Sequence, residues 1–166
     1  MEKLLEKLSS YNILNNLIPG AAFIWLSELS GVLLLSSSSI VEKLFIYYFC
    51  GMIVSRVGSL VIEKICLKIK LISYASKKDY LDATKKDKLI EVLLETSNLY
   101  RTCTGMILTI GISKLYMIVT QRFEFSHELT VWIVIIVLFF LFVSAFCKQT
   151  KHILSRIEAT KGDKKE

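Results

Sequence analysis

The sequence lacks the residue patterns that metal sites, disulfide frameworks and enzyme active sites need. Its four cysteines include no CxxC pair, and neither of its two histidines lies at ligand spacing from a cysteine. Metal binding and a disulfide framework are therefore not expected. There is also no phosphate-binding glycine loop, nucleophile motif or acid–base spacing of carboxylates, so we expect no catalytic residues, no cofactor and no enzyme activity.

Proline and polar sequence are scarce as well. The chain has one proline in 166 residues, 53 % of its residues are hydrophobic, and its mean hydropathy is +0.51. This is too apolar for an ordinary soluble domain, and the composition therefore indicates a membrane protein. The N-terminus carries Glu2 and Glu6, and no convincing cleavage site follows, so a signal peptide is not expected.

Four apolar stretches have the length that crosses a bilayer as a helix. We predict an all-α polytopic membrane protein, one membrane domain over residues 1–166, with spans at about 17–35, 44–62, 103–121 and 129–147. Residues 2–12 have the pattern of an amphipathic helix on the membrane surface. Asn15 and Asn16 can cap the first span, which would place Pro19 in its first turn.

The segments between and after the spans differ in length and charge. The connector 36–39 is so short that the first two spans must form an antiparallel hairpin. The loop 63–102 is polar and basic, and its pattern predicts helical segments at both ends with a turn-like patch at 73–88. The fourth span has no charge and is apolar on every face, which favours a lipid-facing position. The tail, residues 148–166, is basic and polar.

The distribution of positive charge predicts the orientation. Of the 21 lysines and arginines, 17 lie in the N-terminal segment, the 63–102 loop or the tail. The positive-inside rule then places both termini and the loop in the cytoplasm. The same asymmetry explains the net charge of +6, so direct nucleic-acid binding is not expected. The lysine-rich patch at 77–88 is explained most simply as charge that meets anionic lipid, and an anionic ligand is the alternative.

Three ionisable residues fall within the predicted spans: Glu28, Arg56 and Lys114. A charge at membrane depth is costly and usually faces protein or water. Two interpretations stay open: Glu28 pairs with Lys114 or Arg56 inside one subunit, or these groups line a hydrated pathway in an oligomer. Glu63 lies two turns beyond Arg56, at the inner end of the same helix.

A stripe of small residues marks the second span. Gly51, Ser55 and Ser59 recur every four residues, and Gly58 lies beside them. Small residues at this spacing let two membrane helices approach closely. The contact could lie inside one subunit or between copies in a closed ring.

Three groups of residues resemble a known family. They are Asn16-Leu17-Ile18-Pro19-Gly20 with Phe23, then Ser55-Arg56-Val57-Gly58-Ser59-Leu60 with Glu63, then Tyr80, Ala83 and Asp87 with Glu91, Glu95, Asn98, Tyr100, Arg101 and Thr102. This succession, over roughly residues 11–105, resembles small four-span bacterial membrane proteins of anti-phage defence systems. The ion-channel part of the Hailong-type effector and the membrane component of Kiwa-type systems are the members that it resembles.

The resemblance implies a homo-oligomeric ion channel or pore in a bacterial inner membrane, with a tetramer as the working size, gated from the cytoplasmic side and disrupting the membrane on infection. It places at the inner mouth the residues Arg56, Gly58, Ser59, Glu63, Asn98, Tyr100, Arg101 and Thr102. The Hailong-type effector carries an added domain for its DNA signal, for which this chain has no room. We therefore expect the trigger to be a separate partner protein or the loop itself.

Two other functions remain as alternatives. One is a non-conducting inner-membrane sensor or scaffold that recruits a cytosolic defence partner acting on nucleic acid. The other is a small transporter, which the absence of an internal repeat disfavours. In each case the partners are the lipid bilayer and further copies of the chain.

Overall fold

The computed structural model describes residues 2–33 and 39–162, and every regular element within these ranges is a helix. The helices are α1 (Glu2–Leu29), α2 (Ile40–Val57), α3 (Glu63–Lys68), α4 (Lys77–Lys86), α5 (Leu89–Phe123) and α6 (His127–Gly162). A π-helical segment, Gly58–Ile62, joins α2 to α3 without a break. The prediction of an all-α chain is confirmed for the described residues.

Within the described ranges, three helical rods are long and apolar enough to cross a membrane: Ile40–Lys68, Leu89–Phe123 and His127–Glu158. They contain the predicted second, third and fourth spans, and each continues as helix beyond the predicted ends. At 1.5 Å per residue each is at least about 43 Å long, which exceeds the roughly 30 Å of a hydrocarbon core. These helices give the chain the character of a membrane protein.

The first predicted span differs from the structure. Helix α1 runs unbroken through Asn15, Asn16 and Pro19, so no cap separates an N-terminal helix at 2–12 from a span that begins at residue 17. Pro19 is therefore inside the helix and is buried. A proline at such a position removes one backbone hydrogen bond of the helix.

Helix α1 also ends earlier than predicted. Gly31 has a φ of 65°, and the N–H groups of Gly31 and Val32 bond to the carbonyls of Glu28 and Ser27 at 3.0 and 2.9 Å. This pattern closes a helix at a left-handed glycine, so the helix stops at Leu29. The remainder of the predicted span and most of the serine connector, 34–38, lie outside the described residues. Helix α1 is not among the candidate spans, so a fourth span and an amphipathic N-terminal helix stay predictions.

The 63–102 loop is more helical than predicted. The turn-like patch at 73–88 contains α4, whose N-cap Ser76 accepts the N–H of Asp79 at 3.2 Å and donates its hydroxyl to the Asp79 carboxylate at 2.6 Å. This segment has many lysines and few apolar residues, so it lacks the apolar repeat from which a helix is predicted. The predicted helical pattern from Asp87 is seen as the start of α5, where the Asp87 carboxylate accepts the N–H of Leu89 at 2.8 Å.

Helix α6 carries the predicted fourth span and continues through the predicted tail as far as Gly162. Residues 163–166 lie outside the described residues. In its most apolar window only 6 % of the residues are buried, and the buried one, Ala145, lies near the end of that stretch. The helix is thus peripheral, as its uniformly apolar surface predicts.

The closest helix crossing joins α1 to α2. A Cβ on Gly51 would overlap the carbonyl oxygen of Asn16, and a Cβ on Gly20 would overlap that of Tyr47. The order of these contacts shows that the two helices are antiparallel, as the hairpin prediction requires. The two glycines let the backbones touch, because no side chain separates them.

A second crossing joins the π segment to α5. A Cβ on Gly58 would lie 2.6 Å from the carbonyl oxygen of Arg101, and one on Gly105 would lie 2.6 Å from that of Val54. The second span is therefore held between α1 and α5, and Gly51 and Gly58 serve contacts within the subunit. Ser55, on the same stripe, is half-buried.

Replacing Gly51 by alanine is expected to force α1 away from α2. Overpacking of this kind costs about 1–3 kcal/mol, so the Tm of the detergent-solubilised protein should fall. Gly111 is the matched control, since its Cβ position meets nothing within 4 Å. The Gly111→Ala variant should be neutral, or more stable by up to about 1 kcal/mol, because alanine favours a helix. Equal shifts in the two variants would contradict the crossing.

Candidate functional site

A cavity of about 440 Å³ lies where the apolar stretches of the long helices give way to charged sequence. Its walls come from α2, the π segment, α3, α4, α5 and α6. Four charged side chains line it: Arg56, Glu63, Arg101 and Lys148. We call it the cationic cavity, because three of these four carry positive charge.

The carboxylate of Glu63 binds two of these cations. Its Oε2 accepts a hydrogen bond from Arg101 Nη1, and its Oε1 accepts one from Lys148 Nζ, each at 2.8 Å. The Glu63 side chain is 11 % exposed, and each cation is 26 % exposed. Because the three residues come from three rods, this ion cluster ties α3, α5 and α6 together. Pairs with so little water around them are screened far less than surface pairs.

The π segment supplies a further contact to the ion cluster. The N–H of Glu63 bonds to the carbonyl of Gly58, five residues back, and not to that of Ser59. The Ser59 carbonyl thus loses the donor that an α-helix would give it. Lys148 Nζ donates to this oxygen at 2.8 Å. Single π turns of this kind recur at functional sites, where the extra residue leaves a carbonyl open to a side chain.

Two donor groups of the cavity remain without an acceptor in the described part of the chain. Arg56 is half-buried on the cavity wall and forms no ion pair with any described carboxylate. Arg101 Nε is buried and has no hydrogen-bond acceptor there either. Glu63 balances only one of the three positive charges, and the cavity keeps an excess of positive charge and of donors.

Tyr74 reaches the cavity from the segment that follows α3. Partial desolvation, and next the negative charge of Glu63, raise the pKa of Tyr74 above its usual value, while the charge of Arg101 and a hydrogen bond with it partly offset this. Asn98 and Tyr80 place further polar groups on the same wall.

Most of the residues that the resemblance places at the inner mouth of a channel line this cavity. Arg56, Ser59, Glu63, Asn98 and Arg101 all line it. Two others support the wall: Gly58 packs against the Arg101 backbone, and Thr102 is buried with its hydroxyl donating to the Asn98 carbonyl at 2.9 Å. Tyr100 is 68 % exposed and does not line the cavity.

Glu28 and Lys114 lie away from the cavity. Lys114 Nζ donates to the carbonyl of Ser30 at 2.7 Å, so it lies beside the C-terminal end of α1, where a cation is favourable. Glu28 is two residues before Ser30 and shares this end. Lys114 follows Arg101 by 13 residues, which is about 20 Å along a helix. The ionisable residues of the spans thus form two separate groups, with Arg56 in the cavity group.

Sequence reasoning did not single out Lys148, Tyr74 or His152, although all three line the cavity. Lys148 is the first cation after the uncharged fourth span, and this position could have marked it as a candidate site residue. Which of the tail cations points back at Glu63 depends on how α6 packs. Comparison with known protein families, curated proteins and solved structures finds no match.

The Glu63→Gln variant tests the ion cluster. Removing the carboxylate charge leaves Arg101 and Lys148 facing each other with little water. Breaking a buried pair costs about 3–5 kcal/mol, and we expect about 2–3 kcal/mol here, because both cations keep some solvent contact. Thermal unfolding in detergent measures the loss.

Asp82→Asn is the matched control for this variant. It removes one carboxylate from an exposed pair, Lys85–Asp82 at 3.4 Å with side chains 66 % and 47 % exposed. Exposed pairs contribute at most about 1 kcal/mol. If Glu63→Gln proved as stable as Asp82→Asn, the ion cluster would not hold the helices together.

Proposed function

We propose that this chain is a bacterial inner-membrane protein that assembles into a homo-oligomeric channel or pore, gated from the cytoplasmic side at the cationic cavity. The observation that carries the proposal is the ion cluster, which joins three helical rods at one end through charge-assisted hydrogen bonds. A role in anti-phage defence is part of the proposal and is supported by the motif resemblance over residues 11–105.

The convergence of basic segments supports the proposed orientation. Helix α4, the first half of α5 and the end of α6 all adjoin the cavity, since Tyr80, Asn98 and His152 line it. These segments carry nine of the 21 lysines and arginines, whereas the proposed outer connectors carry only Lys43 and Arg122, and positive-inside topology would put this end in the cytoplasm. In the proposed topology α1 supplies a fourth crossing, and both termini are cytoplasmic.

Low burial of the candidate spans supports the proposed assembly. In their most apolar windows only 22 %, 17 % and 6 % of the residues are buried within one subunit. Wide faces are therefore left for lipid or for further copies. Lys114 stays exposed in spite of its bond to Ser30, and a charge in a span needs protein or water around it. A closed ring of copies would supply both.

The ion cluster suits a gate because it ties α6 to the second span. Lys148 of α6 hydrogen-bonds to that span and its extension, through Ser59 and Glu63. Loss of these bonds would free the inner half of α6 from the π segment. The membrane half of α6, with little buried surface, offers small resistance to such a movement.

A second candidate function has its own observation. Helix α5 begins outside the predicted membrane span with three strongly exposed apolar residues at helical spacing, Leu89, Val92 and Leu93, which are 58 %, 53 % and 60 % exposed. An exposed apolar face of this kind is typical of an interaction surface. It favours a non-conducting scaffold that recruits a cytosolic defence partner.

Cysteine labelling tests the orientation. In a background without native cysteines, Ser73→Cys lies in the proposed cytoplasmic loop and Arg122→Cys lies in the proposed outer connector; both native side chains are exposed. A membrane-impermeant maleimide should label Arg122→Cys in intact spheroplasts and Ser73→Cys only after lysis. The opposite pattern would overturn the proposed topology.

Ion flux from proteoliposomes tests the gate. We expect low flux for the native protein and a rise of at least about tenfold for Lys148→Met, which corresponds to about 1.4 kcal/mol. Lys151→Met is the control, because Lys151 is exposed on the same helix and does not line the cavity. It should leave flux unchanged.

The same measurement separates the two candidate functions. If intact oligomers of the native protein and of both variants conduct no ions, the channel proposal fails and the scaffold is favoured. In that case Leu93→Asp should abolish recovery of a cytosolic partner, while the native chain retains it. Native mass spectrometry of the solubilised protein gives the number of subunits.

A further inference from the structure

The cationic cavity has the charge of an anion site. Arg56, Arg101 and Lys148 face it with one carboxylate between them. Glu63 is already bound by two of these cations, so its negative charge is more than compensated. An anion that enters the cavity therefore meets a positive surface.

An unpaired guanidinium points to the same kind of ligand. Arg56 lines the cavity and has no carboxylate partner among the described residues. The phenol of Tyr74 and the amide of Asn98 add neutral polar groups to the wall. The planar fork of N–H groups on a guanidinium can bind two oxygens of one phosphate at once.

The size of the cavity limits the ligand. Its volume of about 440 Å³ is within the roughly 300–1,000 Å³ of small-molecule sites. This is ample for a glycerol phosphate group and too small for a folded partner. Tyr74, Tyr80 and Leu94 provide apolar wall beside the charged groups.

The position of the cavity favours a ligand presented by the bilayer. Lys148 comes directly after the apolar run that ends at Cys147, and Arg101 precedes the apolar part of α5. The cavity thus lies at the boundary between apolar and polar sequence, which is the height of lipid headgroups. Basic pockets between membrane helices at this height bind phosphorylated headgroups.

We propose that the cationic cavity binds a phosphate group whose negative charge is not balanced by an amine, presented by an anionic lipid headgroup or by a small soluble phosphate. The phosphate oxygens accept hydrogen bonds from Arg56, which has no carboxylate partner among the described residues. They also compete with Glu63 for Arg101 and Lys148. Occupancy therefore weakens the ion cluster that joins α3, α5 and α6. The site itself does not depend on the chain being a channel.

The binding experiment uses the full chain purified in a neutral detergent. The probes are dihexanoyl-phosphatidic acid, dihexanoyl-phosphatidylcholine, glycerol 3-phosphate and inorganic phosphate, with affinity measured by native mass spectrometry and thermal shift. We expect phosphatidic acid to bind at least about tenfold more tightly than phosphatidylcholine, whose amine balances its phosphate. Binding of glycerol 3-phosphate at the same affinity would assign the site to a soluble phosphate, and binding of phosphatidic acid alone would assign it to lipid.

Charge-removing variants locate the binding. Arg56→Gln should weaken phosphatidic acid binding at least about tenfold. Arg122→Gln is the same substitution at the C-terminal end of α5, outside the cavity, and should leave binding unchanged. Tyr74→Phe covers the case in which Arg56→Gln fails to fold. Because Tyr74 is 61 % exposed, loss of its hydroxyl should weaken binding a few-fold without unfolding the chain.

Equal affinity for the two lipids, or equal losses in Arg56→Gln and Arg122→Gln, would overturn the proposal. None of these readouts involves ion flux, so failure of the binding site and failure of the channel are distinguishable.

Discussion

The carboxylate of Glu63 is the group on which the charged end of the molecule depends. Without it, Arg56, Arg101 and Lys148 would present three positive charges to one cavity with little water to screen them. With it, two of the cations become bridges between helices. These ion pairs hold the walls of the cavity together. The remaining positive charge attracts an anion. Stability and ligand affinity thus both depend on Arg101 and Lys148.

Backbone contact explains why these charges can meet. Gly58 and Gly105 bring the π segment against α5 closely enough for Arg101 to reach Glu63. The π turn then withdraws a donor from the Ser59 carbonyl, and Lys148 replaces it. A larger residue at Gly58 would separate the helices and lengthen every one of these bonds. The small residues of the second span therefore serve the charged cavity as well as helix packing.

The candidate spans are poorly buried by their own subunit, and this constraint connects the fold to the proposed assembly. An apolar rod such as α6 is stable with lipid on most of its surface. A charged cavity is not, since lipid cannot satisfy its donors. The polar groups are accordingly gathered at two levels, one around Glu63 and one where Lys114 reaches Ser30. Between these levels, either lipid or another copy of the chain can contact the helix surface without loss of stability.

The sequence by itself determined the all-helical class and three of the long apolar helices, because apolar runs of that length have few other solutions in a membrane. It also singled out Arg56, Glu63 and Arg101. Gly31 could have predicted the early end of α1, since a left-handed glycine closes a helix locally. The tertiary structure decided that Glu63 binds Arg101 and Lys148, which lie 38 and 85 residues away. No local pattern encodes such a pairing, because it depends on the rotation of α6 and on the packing of the second span against α5.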